Sequence, residues 1–219
     1  MARPTVTVYA EVSADGKSTH GRGRSSKPMM DFEDDLIRRF RHELRGRSDA
    51  IMVGSNTLRI DDPSLTVRHA EGRNPLRVIP STMGNLPLES QIFNDGGATL
   101  IAVTEQAVPE TVAALEGKAA SVVRSGWNQV DLQLLLSILH ERQIRSVMVE
   151  GGATLLSSLF RNKLVDHLIV QHLPVVFGGD TVPSMVGGPP LKSLNDAVRL
   201  RLTDTQSIGR HAVISYDVL

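Results

Sequence analysis

The stretch Ser146-Val147-Met148-Val149-Glu150-Gly151-Gly152-Ala153-Thr154-Leu155-Leu156 carries the densest chemical signal in this chain. A short β-branched apolar run ends on a carboxylate and two glycines follow. Apolar spacing at Leu155, Leu156 and Leu159 then predicts a helix. That order sets the free N–H groups of a helix start at the carboxyl edge of a sheet, where hydrogen bonds and the helix dipole hold a phosphate. Glycine lets the backbone approach a ligand that a Cβ would keep at a distance. Glu150 would add a carboxylate beside it. A tight strand–helix turn with no ligand also uses paired glycines, and the residues alone leave both readings open.

Two further strings bring reactive groups together. Ser13-Ala14-Asp15-Gly16-Lys17 puts a hydroxyl, a carboxylate and an ammonium on one turn, although Asp-Gly is also an ordinary turn pair. In Asp61-Asp62-Pro63-Ser64-Leu65-Thr66-Val67-Arg68, adjacent acids point different ways and so do not share one metal face. The histidines His20, His42, His69, His140, His167, His172 and His211 are scattered without ligand spacing, and the expectation is no metal. Gly21 and Gly23, like Gly178-Gly179-Asp180, read as turns, and there is no Gly-x-Ser-x-Gly nucleophile elbow.

Composition narrows the classes. Lys plus Arg equals Asp plus Glu at 24 each, which argues against nucleic acid or an anionic membrane as partner. Several arginines nevertheless cluster between Arg22 and Arg47. The absence of cysteine excludes disulfides, thiol catalysis and Cys-based metal sites. No apolar stretch approaches the ~20 residues that span a bilayer. Met1-Ala2-Arg3-Pro4 leads directly into a strand-like run, so a cytoplasmic protein is expected.

The elements that must position these groups follow from periodicity. Val6 to Val12 reads as a strand, His20 to Pro28 as a cationic loop, and Asp31 onward as a helix with Phe32, Leu36, Ile37, Phe40 and Leu44 on one face. Ala50 to Val53 is a strand ending at Gly54. Asn56-Thr57 and Asp61 to Ser64 then read as loop. Leu76 to Ile79 and Thr99 to Val103 are strands, and Pro109 to Leu115 and Val130 to Arg142 are helices. Val165 to Val170 is a strand, and Val198 to Asp204 with Ala212 to Asp217 forms an antiparallel pair. The expected fold is a single α/β domain, 1–219, with a mixed, mostly parallel sheet flanked by helices and an antiparallel C-terminal edge.

Taken in order, Ser13-Ala14-Asp15-Gly16-Lys17, Ser48-Asp49-Ala50-Ile51-Met52-Val53-Gly54, Asn56-Thr57, the Asp61 to Arg68 string, Val149-Glu150-Gly151-Gly152 and Phe177-Gly178-Gly179 resemble the reductase of riboflavin biosynthesis. That family occurs as the C-terminal domain of a bifunctional deaminase/reductase and as a stand-alone enzyme in archaea and fungi. The likeness runs from about Val6 to the C-terminus. It implies a dihydrofolate-reductase-like fold, NADPH as cofactor, a homodimer, and reduction of a phosphorylated ribosylaminopyrimidine to the ribitylamino compound by hydride delivered to C1′. The deaminase partner would need a zinc site with cysteines, which this chain lacks.

The resemblance also implies roles. Lys17, Asp61 and Glu150 fall at catalytic positions, and Arg45, Asp61, Leu65, Arg68 and Glu150 at substrate positions. Arg45 and Arg68 suit the 5′-phosphate. Gly54, Asn56, Thr57, Ser81, Gly151, Gly152, Ala153 and Thr154 fall along the cofactor, and Arg22 to Lys27 can reach a 2′-phosphate. The chain departs from the family at Pro28-Met29-Met30 and at Pro80-Ser81, and no arginine follows near Asn85. Two alternatives therefore stand beside it: a same-fold reductase of a pterin-like or specialised heterocycle, and a non-catalytic ligand-binding relative. Val165 to Val170 and Ala212 to Tyr216 read as apolar sheet edges, which a second copy would cover.

Overall fold

Alternating β-branched residues from Thr5 to Ser13 form a nine-residue strand, β1. The computed structural model describes residues 2–118 and 120–219. They pack as two compact units, each assembled from two stretches of chain: Met1–Thr5 with Arg41–Met148, and Val6–Phe40 with Val149–Leu219. Helix α1 (Asp35–Arg47) gives its first turns to the second unit and its last turns to the first.

In the first unit, β2 (Ala50–Met52), β3 (Leu76–Pro80), β4 (Thr99–Val103) and β5 (Ser121–Arg124) run parallel in the order β5-β4-β3-β2, with β6 (Ser146–Val149) beyond β2. The register sets Ile79 beside Ile101 and Ile101 beside Val122. One face of the sheet therefore gathers Ile51, Ile79, Ile101 and Val103 into a core with Leu58, Leu65, Phe93 and Leu115. These strands read as continuous apolar runs because a parallel sheet is covered on both faces. The unit also holds α2 (Ser55–Asp61), α3 (Pro109–Glu116) and α4 (Leu132–Glu141). In α4 the Asp131 carboxylate accepts from the N–H groups of Gln133 and Leu134, and Leu132, Leu135, Leu136 and Leu139 are buried at helical spacing.

A charged residue stands on the apolar face of that sheet. Arg77 is 1% exposed, and its guanidinium makes a two-pronged ion pair with Asp95 at 2.7 and 2.8 Å. It also donates to the carbonyls of Gly97 and Ser64. A Cβ on Gly97 would collide with the guanidinium, so the close approach requires glycine. The Arg77 hydrogen bond holds the Asp95 carboxyl below its ordinary range, against the burial that opposes it.

The second unit orders its strands β1-β7-β9-β8, where β7 is His167–Leu173, β8 Leu200–Ile208 and β9 His211–Val218. β7 lies parallel to β1, and β9 antiparallel to both β7 and β8. Helix α5 (Ala153–Arg161) buries Leu155, Leu156, Leu159 and Phe160. Asp34 caps α1 by accepting from Ile37 N–H at 3.0 Å, and also accepts from Arg210 N–H at the β8–β9 turn.

The alternating α/β pattern and the antiparallel C-terminal strands are as expected, with four differences. β5 is a strand that periodicity does not announce, its four residues ending on an arginine. Asn56-Thr57 and Asp61, read as loop, lie in α2 (Ser55–Asp61); only Leu58 and Asp61 are buried in it, too few to print a helical period. The helix expected from Asp31 begins at Asp35, because Lys27–Phe32 is a 3-10 segment opened by Pro28. The strands Val165 to Val170 and Ala212 to Tyr216 are not edges: β7 and β9 each have neighbours on both sides, and the edge is β8. β8 was hard to read as an element at full length because Asp204-Thr205-Gln206-Ser207 is polar and exposed.

Replacing Arg77 by Met keeps the stem but leaves the Asp95 carboxylate without its partner. Urea unfolding at pH 7 should show a loss of about 3 kcal/mol. A depressed carboxyl pKa stabilises above the unfolded value, so the difference between the two proteins should narrow as the pH falls below about 4.

Candidate functional site

The first unit concentrates positive charge at the end of α1. Arg41 and His42 each lie about one helical turn from Arg45, and all three are at least nine-tenths buried. The segment Ser64–Arg68 meets them. The Arg45 guanidinium donates to Thr66 O at 3.0 Å, and Arg68 N–H donates to His42 Nδ1 at 3.0 Å. The Arg68 guanidinium donates to the hydroxyls of Ser64 and Thr66. Burial first, then the charges of Arg45 and Arg41, pull the Arg68 pKa below its ordinary value. Three guanidiniums and two hydroxyls so arranged suit an anion with several oxygens. A pocket of about 390 Å³ opens against the same segment, lined in part by Asn74, Arg77 and Asp95 and by no residue of α1.

The segment is pinned from several sides. Asp62 closes α2 in the left-handed conformation, with φ 37°, and its carboxylate accepts from Gln91 N–H at 3.0 Å. Leu65 is also left-handed, with φ 54°, and is 2% exposed in the core. Such backbone is uncommon for a leucine and holds here because its side chain is buried. Val67 N–H reaches Asn74 Oδ1 at 2.8 Å. Asp61 is the last residue of α2 and is 9% exposed.

Of the residues placed along a cofactor, Gly54 is the N-cap of α2, Asn56 and Thr57 lie in its first turn, and Ser81 follows β3. All four belong to the first unit. Gly151, Gly152, Ala153 and Thr154 belong to the second, with Lys17 and Glu150. Gly151 has φ 103° and is joined to Gly152 by a cis peptide bond. A Cβ built on Gly151 would meet nothing within 4 Å, so open space faces the backbone there. Gly152 caps α5 with no side-chain hydrogen bond, and the first turn carries no acid. An open glycine beside the uncapped start of a nine-residue helix fits a dinucleotide phosphate.

Lys17 sits on a clasped turn. Ser13 Oγ donates to Asp15 Oδ1 at 2.6 Å and accepts from Lys17 N–H at 2.9 Å. Asp15 also accepts from the N–H groups of Phe177 and Gly178, at 3.1 and 2.8 Å. These bonds, Ser13 first, lower the Asp15 pKa to about 2. The turn at Lys17 is thus tied to the Phe177-Gly178-Gly179 loop.

Sequence reasoning missed Arg41, His42 and the hydroxyls of Ser64 and Thr66. The spacing Arg-His-x-x-Arg on an amphipathic helix was the available signal, since it stacks all three side chains on one stripe. Among the described residues no group of three or more His, Cys, Asp or Glu is placed to hold a metal ion.

The sequence model of the RibD C-terminal domain matches residues 4–214. The 2,5-diamino-6-ribosylamino-4(3H)-pyrimidinone 5′-phosphate reductase of Aquifex aeolicus is 42% identical over 220 residues, covering 100% of this chain and 98% of that protein. The enzyme of the same name from Methanothermobacter thermautotrophicus is 41% identical over 219 residues, covering 99% of each. Among solved structures, Acinetobacter baumannii RibD superposes with a TM-score of 0.83 at 22% identity. The match covers 99% of this chain and 58% of that one, so this chain spans a little over half of that protein and the likeness bears on fold alone. The riboflavin biosynthesis reductase of Saccharomyces cerevisiae superposes with a TM-score of 0.71 at 25% identity, over 99% of this chain and 90% of that chain.

Replacing Asp15 by Ala should raise amide exchange at Phe177 and Gly178 about tenfold or more and leave α4 unchanged, as read by hydrogen–deuterium exchange. In the unsubstituted protein the clasp should hold above about pH 4 and loosen as the pH falls toward about 2, because a depressed carboxyl pKa stabilises only where the unfolded group would already be ionised.

Proposed function

The chain belongs to the RibD C-terminal domain family, and we propose that it is a cytoplasmic, NADPH-dependent reductase of riboflavin biosynthesis acting on a 5′-phosphorylated ribosylaminopyrimidine. The observation that carries the substrate class is the gathering of Arg41, Arg45 and Arg68 with the Ser64 and Thr66 hydroxyls. A phosphate dianion relieves the mutual repulsion of such a cluster, and the guanidinium forks match its oxygens. Among the described residues no helix is long and apolar enough to cross a membrane.

The chemistry that a bound NADPH supplies is a hydride for C1′. Everything else falls to this chain. Arg45 and Arg68 hold the phosphate, and Leu65, buried beside them in sequence, fixes the segment between. Asp61 accepts from sugar hydroxyls, and Glu150 accepts from the amino groups of the pyrimidine or from a hydroxyl of the opened sugar. Lys17 holds the proton that the nitrogen on C1′ needs once the carbon has gained its hydride. Gly151, Gly152, Ala153 and Thr154 offer backbone N–H groups to a cofactor phosphate, with Gly54, Asn56, Thr57 and Ser81 as further cofactor contacts.

A homodimer is part of this reading, and the surface that supports it is the β8–β9 hairpin. Leu200 and Leu202 pair with Val218 and Tyr216 on one face of the hairpin, and Leu202 is 59% exposed. Apolar residues along an edge strand need cover.

Steady-state reduction, followed by NADPH absorbance, tests the reading. Arg68→Ala should lower kcat/KM for the phosphorylated substrate about 100-fold, mostly through KM, and leave the dephosphorylated substrate within about threefold. An equal penalty on both would remove the phosphate role. Leu202→Glu should convert a sedimenting species of twice the chain mass into single chains at micromolar concentration. A wild-type chain that sediments only as single copies would refute the dimer.

A further inference from the structure

His42 stands in the chain between Arg41 and Arg45, and it is 1% exposed. Its Nδ1 accepts the Arg68 backbone N–H at 3.0 Å. An imidazole that accepts at Nδ1 carries its proton on Nε2 and is neutral, since the charged ring has no lone pair to offer. The surroundings keep it so. Burial first, then Arg45, Arg41, His69 and Arg68, push its pKa down to about 3. The His69 ring packs edge-on against it, with centroids 4.8 Å apart. A neutral ring adds nothing to the field that attracts an anion. What it supplies is an acceptor of fixed direction, mounted on the same helix as two of the three guanidiniums.

We propose that His42 is a positioning residue for phosphate recognition: it fixes the backbone of Arg68 against α1, so that the Arg68 guanidinium and that of Arg45 meet one phosphate together. The inference rests on the phosphate reading of this site. It explains the choice of side chain. A carboxylate at position 42 would pair with the guanidiniums and cancel the field, and an aliphatic side chain would leave the Arg68 N–H without its acceptor.

The test compares His42→Asn, His42→Gln and His42→Leu in the full chain. Asn puts an amide oxygen near the place of Nδ1, Gln puts it near the place of Nε2, and Leu offers none. Binding of D-ribose 5-phosphate, measured by calorimetry at pH 7.5 on variants with wild-type circular dichroism, should stay within about threefold for Asn and weaken about tenfold for Gln and Leu. In turnover, Gln and Leu should raise KM with kcat little changed, and Asn should restore KM. If Leu does not fold, the contrast between Asn and Gln decides. Equal losses in Asn and Gln would mean that His42 serves only packing, and binding unchanged in all variants would mean that it positions nothing; either overturns the proposal, as does a wild-type chain that binds no ribose 5-phosphate. The expected binding pattern in a chain without reductase activity would support His42 and refute the enzymatic reading. An active reductase whose variants all bind alike would do the reverse.

Discussion

Arg41, Arg45 and Arg68 repel one another, and everything local to the candidate phosphate site is arranged to keep them together. The repulsion is visible in Arg68 itself, whose pKa is drawn down by burial and by its two neighbours. Several neutral bonds oppose it: Arg45 to the Thr66 carbonyl, Arg68 N–H to His42, and the Arg68 guanidinium to two hydroxyls. Behind these, Arg77 grips the Ser64 carbonyl from the core, and its own charge is neutralised by Asp95. Arg77 is paired with the Asp95 carboxylate and builds the scaffold, while Arg45 and Arg68 donate to carbonyl and hydroxyl oxygens of the segment Ser64–Arg68.

The strands and longer helices were legible because their physics is local. β1 shows the alternation of a strand, β4 the unbroken apolar run of a buried one, and α4 the 3.6-residue period of a helix. The short helix α2 was not legible, since seven residues with two buried side chains print no period. The identity of the edge strand was not legible either. The apolar segments of β7 and β9 read as edges in want of cover, whereas their cover is a neighbouring strand, the polar β8, which nothing in the sequence places outside them.

At the site, Gly151-Gly152 and the Ser13–Lys17 turn announce themselves because glycine and paired polar residues are rare inside elements. The Arg41–His42–Arg45 stripe did not, because charges on a helix ordinarily face solvent and only the fold shows these buried. The assignment of Lys17, Asp61 and Glu150 to chemistry came from resemblance. Geometry adds a mounting for Lys17, whose turn is clasped through Asp15.

The way the chain is divided has a consequence for its birth on the ribosome. β1 is made first, but its partner within its own unit is β7, paired Thr7 to His167 and onward, so 160 positions separate the two strands. The first unit, by contrast, takes nearly all its residues from one continuous run, Arg41–Met148. During synthesis that run can gather β2 to β5 into a sheet as it emerges, while the β-branched segment at the front waits, extended and apolar, until the last third of the chain appears. The interval during which Val6 to Val12 has no strand beside it in its unit is therefore set by translation and not by search.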